Sequence, residues 1–223
     1  MQWENDNLRR AYALQSTSEA RSLYDEWAAT YDSQLASASY TSPTRAVNVV
    51  LSCLDDVADA EKSSKRLRIL DAGCGTGLVG AGLAKKLYEL KVETYIDGLD
   101  LSQGMLERAR ETGVYQMLEE ADLSKPIKRR DGEYDVVTCV GTLTHGHVGP
   151  GVLSEFVRVA RRGGLVVVTI VQELMERGGY KSALDKLEAG VNADLKIVML
   201  QDTEFGVTEG TTSGARLLAF RRV

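Results

Sequence analysis

Apolar positions along this chain recur with two different periods, and the change from one to the other locates its elements. From residue 1 to 59 the spacing is helical: Leu8, Ala11, Tyr12 and Leu14, then Leu23, Trp27, Ala28 and Tyr31, recur at spacings of three and four. Within it, YDEWAATYDSQL from Tyr24 to Leu35 puts Tyr24, Trp27, Ala28 and Tyr31 on one face and acids on another, which predicts a helix lying across an opening. Burial in a core accounts for Trp27 equally well. Tyr40 to Pro43 predicts a loop, and Pro43 enters a helix from Thr44 to Val57 where its missing N–H costs nothing. The charged run Asp55 to Arg66 reads as a linker inside one domain, because the helices before it carry too little apolar area to fold alone.

Beyond the linker, short continuous apolar runs alternate with helical patterns. Strands are predicted at Leu67–Asp71, Val92–Leu99, Val114–Leu118, Tyr134–Val140 and Leu165–Val171. Leu78, Val79, Leu83, Leu87 and Leu90 keep helical spacing after the first strand, and Ser102 is an N-cap for a helix that stops at Gly113. A loop from Gly141 to Gly151 leads to a helix through Arg162, and Gly163-Gly164 turns the chain into the fifth strand. Runs buried on both sides belong to parallel sheets, so the alternation predicts an α/β fold with a doubly wound, mostly parallel seven-stranded sheet. After a helix at Tyr180–Ala189, Leu195–Gln201 and Ala215–Phe220 flank a connection rich in Gly, Thr and Ser. They read as a C-terminal antiparallel hairpin on the sheet edge. The expected organisation is a single domain over 1–223, with an N-terminal helical cap over 1–59 and the α/β core over 66–223.

Composition narrows the partners. A net charge of -5, with the doublets Arg9-Arg10, Arg129-Arg130, Arg161-Arg162 and Arg221-Arg222 scattered, argues against a nucleic-acid partner. Cys53, Cys74 and Cys139 are odd in number and far apart, which indicates neither a disulfide framework nor a zinc site and fits a reducing compartment. No apolar run is long enough to span a bilayer, so no membrane association is expected and a cytoplasmic location is. A monomer or a homodimer is expected.

The candidate chemistry lies at the ends of the strands. Asp71 is followed by Gly73, Gly75 and Gly77, a loop whose bare backbone lets a ligand approach closely. Asp100 ends the second strand, where a carboxylate can accept from two ribose hydroxyls, and Asp122 follows the third, where it can accept from an exocyclic amine. A dinucleotide would need its third glycine where Leu78 stands, and Asp71 would repel a pyrophosphate. A cationic ligand such as the sulfonium of S-adenosylmethionine suits three acids better than a nicotinamide cofactor does.

On these residues the chain resembles the class I S-adenosylmethionine-dependent methyltransferases, through LDAGCGTG, the acid of GLDLS, ADL and YDVVTCV. YDEWAATYD, Tyr40 to Pro43, GVYQML, GTLTHGHV and RRGGLVVVT resemble more narrowly the methyltransferase-like proteins of the Williams-Beuren syndrome region. The resemblance implies that Asp71, Ala72, Gly73, Cys74, Gly75 and Gly77 hold the methionine part of the cofactor and Asp100 the ribose. It implies that Leu101 and Met105 flank adenine, that Asp122 and the backbone of Leu123 meet its amine and ring, and that Val140 and Gly141 face the reacting end. Tyr24, Trp27, Tyr31 and Tyr40 are similar to residues that close over the cofactor.

Methyl transfer needs no metal, and its product is S-adenosylhomocysteine. Holding donor and acceptor in line supplies on the order of 7 to 11 kcal/mol. The candidate bases are His145 and His147, the only histidines, with Glu155 and Glu173 behind them; both histidines read equally as polar loop residues. The loop after the fourth strand lacks the Asn/Asp-Pro-Pro-Tyr/Phe signature that resembles methylation of bases or glutamine, which with the acidic charge argues against a DNA or RNA acceptor and for a small molecule, a short peptide amine or a secondary metabolite; an N or O acceptor is expected, though no residue names the atom. The alternative is a protein that binds the cofactor without transferring its methyl group.

Overall fold

The structure is a computed structural model that describes residues 6–37, 40–54, 66–189, 194–204 and 214–223. The start of the chain, all of the expected linker (55–66) but Arg66, and most of the Gly/Thr/Ser-rich connection lie outside the described residues.

β1 (Leu67–Ala72), β2 (Thr94–Asp100), β3 (Tyr115–Glu120), β4 (Tyr134–Leu143), β5 (Ala160–Val171), β6 (Leu195–Glu204) and β7 (Gly214–Arg222) form one sheet in the order β3-β2-β1-β4-β5-β7-β6. The first five run parallel, and β7 enters antiparallel between β5 and β6, with Val168 opposite Leu218. The two C-terminal strands therefore form an antiparallel pair at one edge of the sheet, as predicted, with β6 outermost. Alternation explains why both faces are dry. Ile96, Ile69 and Val136 are register neighbours in one core, under α4 (Ser42–Cys53) and α5 (Leu78–Glu89). Leu70, Val137 and Val166 face the other, under α7 (Val152–Val159), α8 (Gln172–Arg177) and α9 (Tyr180–Ala189).

Several element ends differ from the sequence reading, α4 among them, which begins at Ser42 and ends at Cys53 where a helix over Thr44–Val57 was expected, and two of the differences have a visible cause. The helix expected to run through Arg162 ends at Val159, because Ala160 pairs with Tyr134 and the Arg161 guanidinium bonds to the Asp135 carboxylate, which pulls this stretch into β5. The loop expected from Gly141 begins later, since β4 continues to Leu143 and rejoins β5 through Leu143 and Ile170 after a register shift.

The N-terminal segment separates into two parts. α4 packs on the sheet beside α5, whereas α1 (Asp6–Tyr12), α2 (Thr17–Trp27) and α3 (Tyr31–Ser37) share a small apolar core of their own. The single helix expected over Tyr24 to Leu35 is broken between Trp27 and Tyr31. The break folds Tyr31 back on its neighbours, its ring centroid 4.7 Å from Trp27 and 6.2 Å from Tyr24.

Candidate active site

Strand order reverses between β1 and β4, so their carboxyl ends open a crevice, the general place for a ligand in such a sheet. The chain after β1 cannot continue as a strand. Gly73 and Cys74 donate their N–H groups to Leu99 O, at 2.7 and 3.0 Å, and Gly75 N donates to Asp100 Oδ2 at 2.8 Å. These bonds fasten the loop to the end of β2. Gly75 has φ +54°, and a Cβ there would meet nothing within 4 Å, so its bare backbone faces open space. At Gly73, by contrast, a Cβ would lie 2.1 Å from Thr142 Oγ1, so the loop and the end of β4 touch backbone to side chain.

Above this loop lies a cavity of about 870 Å3 including its mouth. Tyr24, Tyr31, Gly73, Cys74, Gly75, Asp100, Leu101, Met105, Asp122, Leu123, Val140 and His147 all line it, together with Tyr40 and Gly141. Asp71, Ala72, Gly77, Trp27 and His145 do not. Asp71 lies beneath the loop and accepts from Tyr115 Oη (2.7 Å), Thr138 Oγ1 (2.8 Å) and Gly80 N (3.2 Å). Burial pushes its carboxyl up, and those three donors oppose the shift. Asp71 thus braces the strand, the loop and α5, and its charge does not front the cavity. The sequence offered no sign that Tyr115 meets Asp71, a contact possible only because Gly80 leaves the room: a Cβ there would sit 2.2 Å from the Tyr115 oxygen.

Asp100 sits in the cavity wall. Burial raises its carboxyl to about 6, against the N–H groups of Ser102 and Gly75 that favour the ionised form. Partial burial would also raise Asp122, but the Ser124 hydroxyl and N–H, and then Lys125, outweigh it and hold that carboxyl below its usual range. No Lys or Arg is among the described lining residues, which present two carboxylates, Asp100 and Asp122.

The cap is tied over this cavity by polar contacts. Asp25 Oδ1 on α2 accepts from Ser102 Oγ (2.6 Å) and Gly104 N (3.0 Å), at the start of α6 (Gln103–Glu111). Thr76 Oγ1 donates to Asp32 Oδ1 on α3 at 2.6 Å, and Arg21 pairs with Glu120. None of these acids was a sequence candidate, since each pairs with a residue far along the chain.

The loop after β4 treats its histidines differently. His147 Nδ1 lies 2.6 Å from the His145 carbonyl oxygen, which can only accept, and 2.8 Å from Thr144 Oγ1, which can accept as well, so Nδ1 carries the proton of the neutral ring. Nε2 keeps the lone pair and accepts from Tyr24 Oη at 3.1 Å. Burial lowers the pKa of His147, the carbonyl of His145 opposing it, so the ring is neutral at pH 7. His145 contributes its carbonyl, while its ring lies toward Glu173, with Nε2 3.7 Å from Oε2. Glu155 is engaged elsewhere, with Arg158 and Ile127 N.

A second cavity of about 550 Å3 adjoins the first, under the cap, and Tyr24, Tyr31, Tyr40 and Gly141 line both.

Residues 69–164 match the family described as a methyltransferase domain. Human methyltransferase-like protein 27 is 33% identical over 187 residues, covering 81% of this chain and 71% of that protein. The chain belongs to the class I S-adenosylmethionine-dependent methyltransferases. A ubiquinone biosynthesis O-methyltransferase of Aeromonas salmonicida is 28% identical to this methyltransferase over 122 residues, 53% of this chain and 49% of that one. Among solved structures, magnesium protoporphyrin IX methyltransferase of Synechocystis with bound S-adenosylmethionine aligns at TM-score 0.56 and 18% identity, covering 81% of this chain and 79% of that one. The [4+2]-cyclase SpnF aligns at TM-score 0.64 and 17% identity, over 94% and 97%. These two likenesses establish the fold. In this methyltransferase the bare backbone at Gly75 and the two carboxylates, with no Lys or Arg among the described lining residues, fit a cofactor that brings a nucleoside and a positive charge. Among the described residues no helix is long and apolar enough to cross a membrane, and no group of three or more His, Cys, Asp or Glu could hold a metal.

Proposed function

We propose that this methyltransferase acts on a small molecule with an N or O acceptor, and that His147 takes the proton the acceptor must lose. The observation that carries the reading is the lone pair of His147 Nε2, in a cavity that the cap covers. The latches through Asp25, Asp32 and Arg21 leave a chamber suited to a compact acceptor rather than to a folded macromolecule. The relative from Aeromonas salmonicida is by name an O-methyltransferase, which supports oxygen.

When bound, S-adenosylmethionine supplies a methyl group already activated on a sulfonium. The chain's own residues bind and orient. Asp100 accepts from the ribose hydroxyls, Gly73 to Gly75 offer backbone to the amino-acid end, and Leu101, Met105 and Leu123 enclose adenine. Asp122 can meet the adenine amine only with lone pairs that Ser124 and Lys125 leave free. Tyr24, Tyr31 and Tyr40 exclude water from the reacting end. Holding the partners in line supplies on the order of 7 to 11 kcal/mol, and a base adds roughly 100- to 10,000-fold.

The test is transfer of label from methyl-tritiated S-adenosylmethionine into an extract of the source cells, separated by size. Label in the small-molecule fraction is expected. Label confined to protein or nucleic acid contradicts the reading, and tight S-adenosylhomocysteine binding with no transfer supports a protein that only binds the cofactor.

A further inference from the structure

We infer that the second cavity is the acceptor chamber, that it takes a flat, uncharged aromatic molecule bearing a hydroxyl, and that Tyr24 conducts the hydroxyl proton to His147. This rests on the methyl-transfer reading above.

The wall of the chamber carries the argument. It is built by Leu8, Ala11 and Tyr12 of α1, Tyr24 and Trp27 of α2, and Tyr31 and Leu35 of α3, with Tyr40, Gly141 and Thr144 closing it toward the sheet. No charged side chain occurs among these residues, so a carboxylate or ammonium would lose its water there with no counter-charge, a large cost. The rings of Tyr24 and Trp27 are nearly parallel, 13° apart with centroids at 6.0 Å, and Tyr31 stands edge-on to Trp27. Such surfaces suit the faces and edges of another ring.

The position of Tyr24 decides the acceptor atom. It lines both cavities, and its hydroxyl donates to His147 Nε2, so its oxygen is left to accept a proton from a molecule in the chamber. Burial, and then the charge of Asp100, hold the phenol well above its ordinary value. Tyr24 is therefore a conduit that stays neutral, and the proton comes to rest on the imidazole. An aromatic hydroxyl is a poor nucleophile until that proton leaves, whereas an alkylamine would arrive charged at pH 7 and meet an uncharged wall. In the balanced step, a bond forms from the acceptor oxygen to the methyl carbon as the carbon–sulfur bond breaks. The bonding pair stays on sulfur, which becomes a neutral thioether. The acceptor's proton passes to the Tyr24 oxygen while Tyr24's own proton passes to Nε2, and His147 ends as an imidazolium that returns the proton to solvent.

Calorimetric titration of the S-adenosylhomocysteine complex tests the chamber, with 2-naphthol, the anionic 6-hydroxy-2-naphthoate and the cationic tyramine as probes. At least tenfold tighter binding of 2-naphthol is expected. Leu8→Trp, which adds bulk at a half-buried position of the wall, should abolish that binding while leaving S-adenosylhomocysteine affinity within twofold, and Leu35→Trp provides a second filling variant. Equal or tighter binding of either charged probe, no binding of any probe, or 2-naphthol binding indifferent to both substitutions overturns the assignment. With cofactor affinity intact those outcomes leave methyl transfer to another small molecule standing, whereas a parent protein that does not bind S-adenosylhomocysteine sinks both. For the relay, Tyr24→Phe should keep 2-naphthol affinity and KM within a few-fold and lower kcat for its methylation by ~100-fold, the scale of a lost proton-transfer group. Unchanged kcat, or no methylation of bound 2-naphthol by the parent, overturns the relay.

Discussion

Asp100→Asn is expected to weaken S-adenosylhomocysteine binding ~100-fold or more, read by calorimetry at pH 7.5. Two hydrogen bonds from ribose hydroxyls to a charged acceptor are worth about 1.5 to 3 kcal/mol each, and every 1.4 kcal/mol is about tenfold. The substitution also disturbs the carboxylate that receives Gly75 N and Ser102 N, so the glycine loop loses part of its tether. A pH dependence accompanies it. Burial raises the Asp100 carboxyl to about 6 in the empty protein, so it is protonated below that value and ionised above it. Hydroxyl donors favour the ionised form, so the affinity of the parent should be level above about pH 7 and fall as pH drops through 6, while Asp100→Asn shows no such fall. In the empty fold the sign is opposite: ionising a carboxyl whose folded pKa is raised lowers stability as pH climbs from the ordinary carboxylate range through about 6. Asn binding within a few-fold of the parent removes Asp100 from the ribose site.

The second large effect concerns His147. With an acceptor that must lose a proton, His147→Ala is expected to lower kcat by roughly 100- to 10,000-fold while S-adenosylhomocysteine affinity stays within a few-fold. His145→Ala should change kcat little, because the structure uses its carbonyl and not its ring. A base must be neutral to act, and burial holds His147 below its ordinary value, so kcat/KM should be level at neutral pH and fall only as pH drops below the usual histidine range. Full activity in His147→Ala between pH 6 and 9 rules the base out.

The parallel core was legible because β1, β4 and β5 are buried over most of their length and announce themselves as continuous apolar runs, whereas β3, at the sheet edge, has no buried residue. Local chemistry was legible too: Ser102 caps α6 by accepting from Met105 N at 3.1 Å, and Gly113 stops it at φ +70°. What escaped depends on partners distant in sequence. The order β5-β7-β6 is set by sheet pairing that no local pattern records. Asp71 reads in sequence as a charge facing the ligand, and only Tyr115, Thr138 and Gly80 reveal it as a brace. His145 and His147 are equivalent in the string THGH. Gly146 between them, at φ +73° and packed where a Cβ would lie 2.2 Å from Leu14 O, belongs to the turn in which one ring reaches Tyr24 and the other lies toward Glu173. The aromatic cap was legible as a face, but its division between two cavities follows from the break between α2 and α3.

A crystal structure of the S-adenosylhomocysteine complex tests the central claim most directly. The account predicts ribose hydroxyls on Asp100, adenine between Met105 and Leu123, and the sulfur at the wall shared by the two cavities, facing Tyr24, Tyr40 and Gly141. A sulfur turned away from Tyr24 and His147, or an adenosyl group lodged in the aromatic chamber, would contradict it.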